Sequence, residues 1–95
     1  MATTIHTGDS LIGSLCRDMA AVRQSWQRLK GQRAACRDEG LRLRLGREAR
    51  RLEQRRLELQ GQARTLLRLP LRDPLGAAFL LEITSRPLAA GTAGG

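Results

Sequence analysis

Two runs of apolar residues, spaced alternately by three and four and separated by a short break, constrain this chain more than any other feature. The first places Ile12, Leu15, Met19, Val22, Trp26, Leu29, Arg33 and Cys36 in register, and the second Leu45, Ala49, Leu52, Arg56, Leu59, Ala63 and Leu66. That spacing keeps every member on one side of an α-helix and defines a heptad seam. Asp9 or Ser10 is the expected N-cap of the first helix, because a side-chain oxygen there can accept from free helix amides. Gly40 is the expected C-terminal stop, as the residue type that most readily takes the left-handed conformation. Pro70 ends the second run through its missing N–H.

Folding the seams together about residue 39 pairs positions whose numbers sum to about 78, and large then meets small. Leu29 falls opposite Ala49 and Leu15 opposite Ala63, while Met19 meets Leu59, Ile12 meets Leu66 and Trp26 meets Leu52. Such alternation suits close packing. The hairpin also sets Arg56 against Val22 and Arg33 against Leu45, where the stems can pack and the charged heads reach water. Arg23 is expected beside Glu53 as an exposed flanking pair. A continuous helix dimerising in parallel is the rival, since one glycine costs only about 1 kcal/mol. That arrangement stacks Arg33 and Arg56 on their own copies, so the hairpin is preferred.

Beyond Pro70, Asp73-Pro74 supplies an N-cap followed by proline at the first helical position. A third helix is expected over Leu75 to Ser85, ended by Pro87, with Leu75, Phe79 and Ile83 forming an apolar row widened by Leu80 and Leu81. It should fold over the open end of the hairpin, near Ile12, Leu15 and Leu66, or dock on a partner. The sequence therefore predicts an all-α chain: a flexible lead-in over 1–8, a long antiparallel coiled-coil-like hairpin over 9–69 and a short third helix within 70–87. The hairpin divides into helix one at about 9–37, a turn at 38–40 and helix two at about 41–69. A disordered tail over 88–95 completes the expectation.

Composition agrees, since Leu and Ala dominate, Tyr is absent, and Phe and Trp occur once each, which disfavours a thick core with a deep pocket. Catalysis has no support in the residues. His6, the single histidine, stands in the lead-in without a neighbouring acid or nucleophile, and Cys16 and Cys36 lie about 30 Å apart along one helix. Neither a metal site nor a disulfide between the two cysteines follows from that spacing. No enzyme activity, cofactor or small-molecule substrate is expected. The region before Asp9 shows no basic run followed by an apolar stretch, and no segment nears the ~20 apolar residues that span a bilayer. With free thiols, this gives the expectation of a cytoplasmic protein.

Surface composition then separates the functional readings. Seventeen basic residues against nine acidic ones give +8, and Lys30 is the only lysine, so the charge is either functional or a compositional bias toward Arg. Helix one should expose small residues on its back, including Ala20, Ala21, Ala34 and Ala35, which let another helix approach closely. With Leu75, Phe79 and Ile83 of the third helix, these are the candidate contacts for another protein helix or a second copy. The favoured reading is thus a small helical-hairpin adaptor, co-chaperone or assembly factor. Helix two should expose Arg44, Arg47, Arg50, Arg51, Arg64 and Arg68, a candidate phosphate-binding stripe for weakly specific nucleic-acid binding. A membrane surface is disfavoured, because Asp73 and Glu82 offset the only basic residues flanking the apolar third helix, Arg72 and Arg86.

Overall fold

The computed structural model describes residues 3–89, with side chains from Ser10 onward. Three helices form it: α1 (Thr3–Ala35), α2 (Glu39–Leu66) and α3 (Pro74–Ser85). The two long helices run antiparallel as a hairpin, and α3 folds back against both, so the all-α architecture is the expected one. The described chain is elongated, 58 × 24 × 16 Å.

The seams supply the core. Ile12, Leu15, Met19, Val22 and Leu29 of α1 are buried, as are Ala49, Leu59, Ala63 and Leu66 of α2, while Trp26, Leu45 and Leu52 are half-buried. Arg33, counted in the seam by spacing, is exposed. Helix α1 begins at Thr3, ahead of the expected cap at Asp9. Residues 3–8 are thus helical rather than a loose lead-in, and Met1 and Ala2 lie outside the described residues.

The turn occupies Cys36 to Asp38, two residues earlier than Gly40 led one to expect. No glycine among the described residues has positive φ, so Gly40 does not end α1 and instead lies in the first turn of α2. Asp38 decides the boundary by capping: its carboxylate accepts from the Leu41 amide at 2.9 Å, with extended backbone at the cap position. Arg42 closes the turn by donating to the Cys36 carbonyl at 3.1 Å. At the other end α2 stops at Leu66, short of residue 69, so Arg68 lies in the connection rather than on the helix.

Helix α3 starts as its Asp-Pro signal predicts, with Asp73 accepting from the Gly76 amide at 3.1 Å and Pro74 in the first turn. Its buried side differs from the expected row. Ala77, Leu80 and Thr84 face the hairpin, Ile83 is partly buried against the core, and Leu75 and Phe79 point away. Thr84 can occupy a fully buried position because its hydroxyl donates to the Leu80 carbonyl at 2.8 Å within its own helix. Leu88, assigned to the tail by sequence, continues this row and is only 2% exposed. The rest of that tail from residue 90 lies outside the described residues.

What holds α3 is a buried guanidinium. Arg56 is 5% exposed, and its head does not reach water as expected from a seam arginine. Its Nε donates to both Glu53 carboxylate oxygens at 3.1 Å, its Nη2 also meets that carboxylate, and its Nη1 donates to the Thr84 carbonyl at 2.6 Å. Arg23 of α1 donates to the Ile83 carbonyl at 2.7 Å and the Arg86 carbonyl at 3.2 Å, instead of forming an exposed pair with Glu53. Glu53 also accepts from the Leu88 amide at 3.4 Å. Two arginines from different helices thus satisfy carbonyls at the C-terminal end of α3, where the helix dipole favours positive charge. Replacing Arg56 with Met keeps the stem but strands Glu53 and the Thr84 carbonyl. Arg56→Met should cost about 2–4 kcal/mol in urea unfolding, with α3 amides losing hydrogen-exchange protection first; unchanged α3 protection would show that apolar packing alone holds the helix.

Candidate functional surfaces

The latch orients α3 and thereby decides which apolar side chains stay outside. Leu75 is 79% exposed and Phe79 is 58% exposed, one helical turn apart on the side opposite the fully buried Ala77 and Leu80. Of the third-helix residues singled out by sequence, Leu75 and Phe79 therefore form an open surface, and Ile83 belongs largely to the fold. Two exposed leucines at the same end, Leu11 and Leu69, stand beside a separate hollow. Leu11, Leu66 and Leu69 line a hollow of about 530 Å³ with Glu58, Gly61, Gln62 and Thr65. At 100° per residue, the α2 side carrying Gln62 and Thr65 lies across from the side carrying Glu53, Arg56 and Gln60, so this hollow opens away from α3.

The small residues of α1 are distributed more widely than a single patch. Ala20, Ala21, Ala34 and Ala35 are all exposed, with Ala34 and Ala35 in the last turn of α1. Ala21 lines a second hollow of about 270 Å³ with Asp18, Val22, Ser25, Leu52 and Arg55. A third, of about 230 Å³, follows toward the turn between Ser25, Arg28, Leu29, Gln32, Glu48 and Leu52. Together the three mark a shallow groove between α1 and α2 on the side not covered by α3. Arg55 crosses it, pairing with Asp18 and Glu58 at 3.3 Å each.

The six arginines singled out by sequence are exposed, as that reading requires, but they form two groups instead of one stripe. Arg44, Arg47, Arg50 and Arg51 lie in the half nearer the turn, and Arg64 and Arg68 lie near the open end. Thirteen residues separate Arg51 from Arg64, about 20 Å along a helix, which exceeds the roughly 8 Å screening length at physiological salt. The fields of the two groups are therefore largely screened from each other. No side chain of the six makes a hydrogen bond or ion pair among the described residues. The charge is also unevenly placed: nine of the 17 basic residues but three of the nine acidic ones fall between Arg28 and Arg51, so this stretch carries +6 of the net +8.

Sequence reasoning missed the group formed by Arg23, Glu53 and Arg56. The available signal was an arginine in the seam three residues after a glutamate, a spacing that brings the two side chains together on one helix. Hydrogen bonds from Arg56 hold the Glu53 carboxyl below its ordinary range; burial opposes them, and the Leu88 amide and the positive charges of Arg56 and Arg23 assist. Burial pushes Arg23 down, with repulsion from Arg56 and Arg86 adding to it and Glu53 opposing. Burial also raises the Cys16 thiol against the pull of Arg17, which is the opposite of an activated nucleophile.

Among the described residues, no three His, Cys, Asp or Glu side chains cluster to hold a metal ion, and no helix is long and apolar enough to cross a membrane. No family model matches the chain, and no curated protein or solved structure matches it.

The lowered Glu53 sets a pH dependence of definite sign. A carboxyl whose folded pKa lies below its unfolded value contributes stability that is fully present above the unfolded value of about 4.3 and is lost as pH falls through the folded one. Helix α3 should therefore lose hydrogen-exchange protection on acidification below about pH 4. Glu53→Gln should weaken α3 at neutral pH and reduce that acid sensitivity. Equal acid sensitivity in parent and variant would show that Glu53 is not its source.

Proposed function

We propose that this chain is a protein-binding helical module, an adaptor or assembly factor, whose open end docks through the outer side of α3 onto a helix of another protein or of a second copy. The exposure of Leu75 and Phe79 carries this reading, because α3 already buries its opposite side and still presents two large apolar side chains to water. Burying such a side chain is worth about 1.5–3 kcal/mol. Leu11, Leu66 and Leu69 beside the open hollow, and Ala21 in the groove, add apolar and closely approachable surface to the same hairpin. A partner helix laid against either side would complete a bundle from the existing hairpin.

A second reading, phosphate-directed binding of nucleic acid, draws on the exposed, unpaired Arg44, Arg47, Arg50 and Arg51. These cations offer backbone contacts without base readout, since Trp26 is packed against the core and the aromatic Phe79 lies on α3.

Sedimentation equilibrium of the intact chain at low and high salt tests the first reading. A dimer that persists at high salt and dissociates in Leu75→Glu/Phe79→Glu supports docking through α3 onto a second copy; a dimer indifferent to that pair of substitutions rules α3 out as its interface. For the second reading, duplex binding should fall steeply with salt and disappear in Arg47→Glu/Arg50→Glu/Arg51→Glu. Retention of duplex by that variant would end it.

A further inference from the structure

Helix α3 covers only the open half of the hairpin, its C-terminal end being held by Arg23 and Arg56. Along α1 beyond Arg23, Trp26, Leu29, Lys30 and Arg33 line a hollow of about 250 Å³. Spacings of three and four put these four side chains on one side of the helix. Leu29 is buried and Trp26 is half-buried, giving the hollow an apolar floor, while Lys30 and Arg33 are exposed at its rim. Neither cation has a hydrogen-bond or ion-pair partner among the described residues. Trp26 also carries an unpartnered polar atom, since its indole Nε1 is shut off from solvent and finds no acceptor among the described residues. A buried donor left in that state is unfavourable, and an acceptor reached by rotation of the ring would relieve it.

We propose that this hollow binds an acidic side chain, Asp or Glu, carried on an amphipathic segment of a protein partner. The aliphatic stem of the acid lies over Leu29 and the indole, and its carboxylate sits between Lys30 and Arg33. A small turn of the Trp26 ring brings its N–H to the same carboxylate. Charge complementarity selects the partner, because the surrounding stretch from Arg28 to Arg51 carries +6 and draws acidic segments toward the site before contact. The apolar floor selects protein over nucleic acid. A phosphate brings no aliphatic stem, and an indole packed against the core is not a platform on which bases stack. The residues that line the site belong to α1 and include neither Leu75 and Phe79 nor the α2 arginines, which contribute only to the surrounding positive charge.

Trp26 is the only tryptophan, so its fluorescence reports on this site alone. The intact chain is titrated with a capped peptide of Leu and Glu in heptad repeat, with its Leu/Gln counterpart, and with a mixed-sequence duplex. The Leu/Glu peptide should shift Trp26 emission saturably, and Lys30→Gln/Arg33→Gln should weaken that binding about ten- to hundredfold, as expected for loss of charge-assisted hydrogen bonds. Both side chains are exposed, so an unchanged circular dichroism spectrum would confirm that the variant folds. Three results overturn the proposal: no emission change with the Leu/Glu peptide, equal binding of the Leu/Gln peptide, or an equal response to the duplex that the same variant abolishes. The last would make the hollow a phosphate site.

Discussion

A guanidinium held away from water organises this molecule. Arg56 stands in the seam of α2 and cannot be left without acceptors there, because a buried charge is tolerated only when paired and fully hydrogen-bonded. Glu53 supplies the counter-charge from one turn earlier, and the Thr84 carbonyl supplies the remaining acceptor from α3. The third helix is therefore part of the solution to a problem created in the second. Arg23 reinforces it from α1, so all three helices meet at one polar cluster inside an otherwise apolar core. Such a cluster fixes position more than it adds raw stability, since its members lose water on burial.

Much of this architecture was legible because long heptad patterns leave little freedom. The buried residues of the hairpin are largely the ones spaced by three and four. The turn was harder to place, because Gly40 and Asp38 make competing claims within three residues. Capping of the Leu41 amide by Asp38 took precedence, and a glycine at the start of α2 costs little. The orientation of α3 was misread for a different reason. Its inward row runs through Ala77, Leu80 and Thr84, with Leu88 buried just beyond the helix, and a small residue and a hydroxyl do not register as an apolar stripe. The hydroxyl of Thr84 is satisfied within its own helix, so it packs as an apolar residue does. Leu75 and Phe79 dominate a hydropathy reading of the same segment, yet they face water.

The surfaces were legible only as lists. Spacing along α2 correctly indicates that Arg44, Arg47, Arg50, Arg51 and Arg64 are exposed, but it does not reveal that other cations are neutralised around them. Asp18 and Glu58 are taken by Arg55, Glu53 by Arg56 and Glu82 by Arg86, while Asp38 and Asp73 cap helices. Most acids are thus committed to holding the fold. The excess of arginine that remains gathers toward the turn, and that segregation depends on which pairs form in three dimensions.

The outcome is an elongated body with chemically distinct ends. Helix α3 covers the open half and leaves Leu75 and Phe79 outward, whereas the turn half keeps two helices, uncompensated positive charge and the hollow beside Trp26. Charge steers partners over roughly a screening length, and apolar contact acts only once surfaces touch. The two ends therefore differ in the kind of interaction that dominates them, along a body 58 Å in length. A hairpin capped over its whole length would bury more apolar surface but would present one uniform exterior. Stopping α3 halfway, at carbonyls that Arg23 and Arg56 are placed to receive, leaves the turn half of the hairpin uncovered on the side where α3 lies.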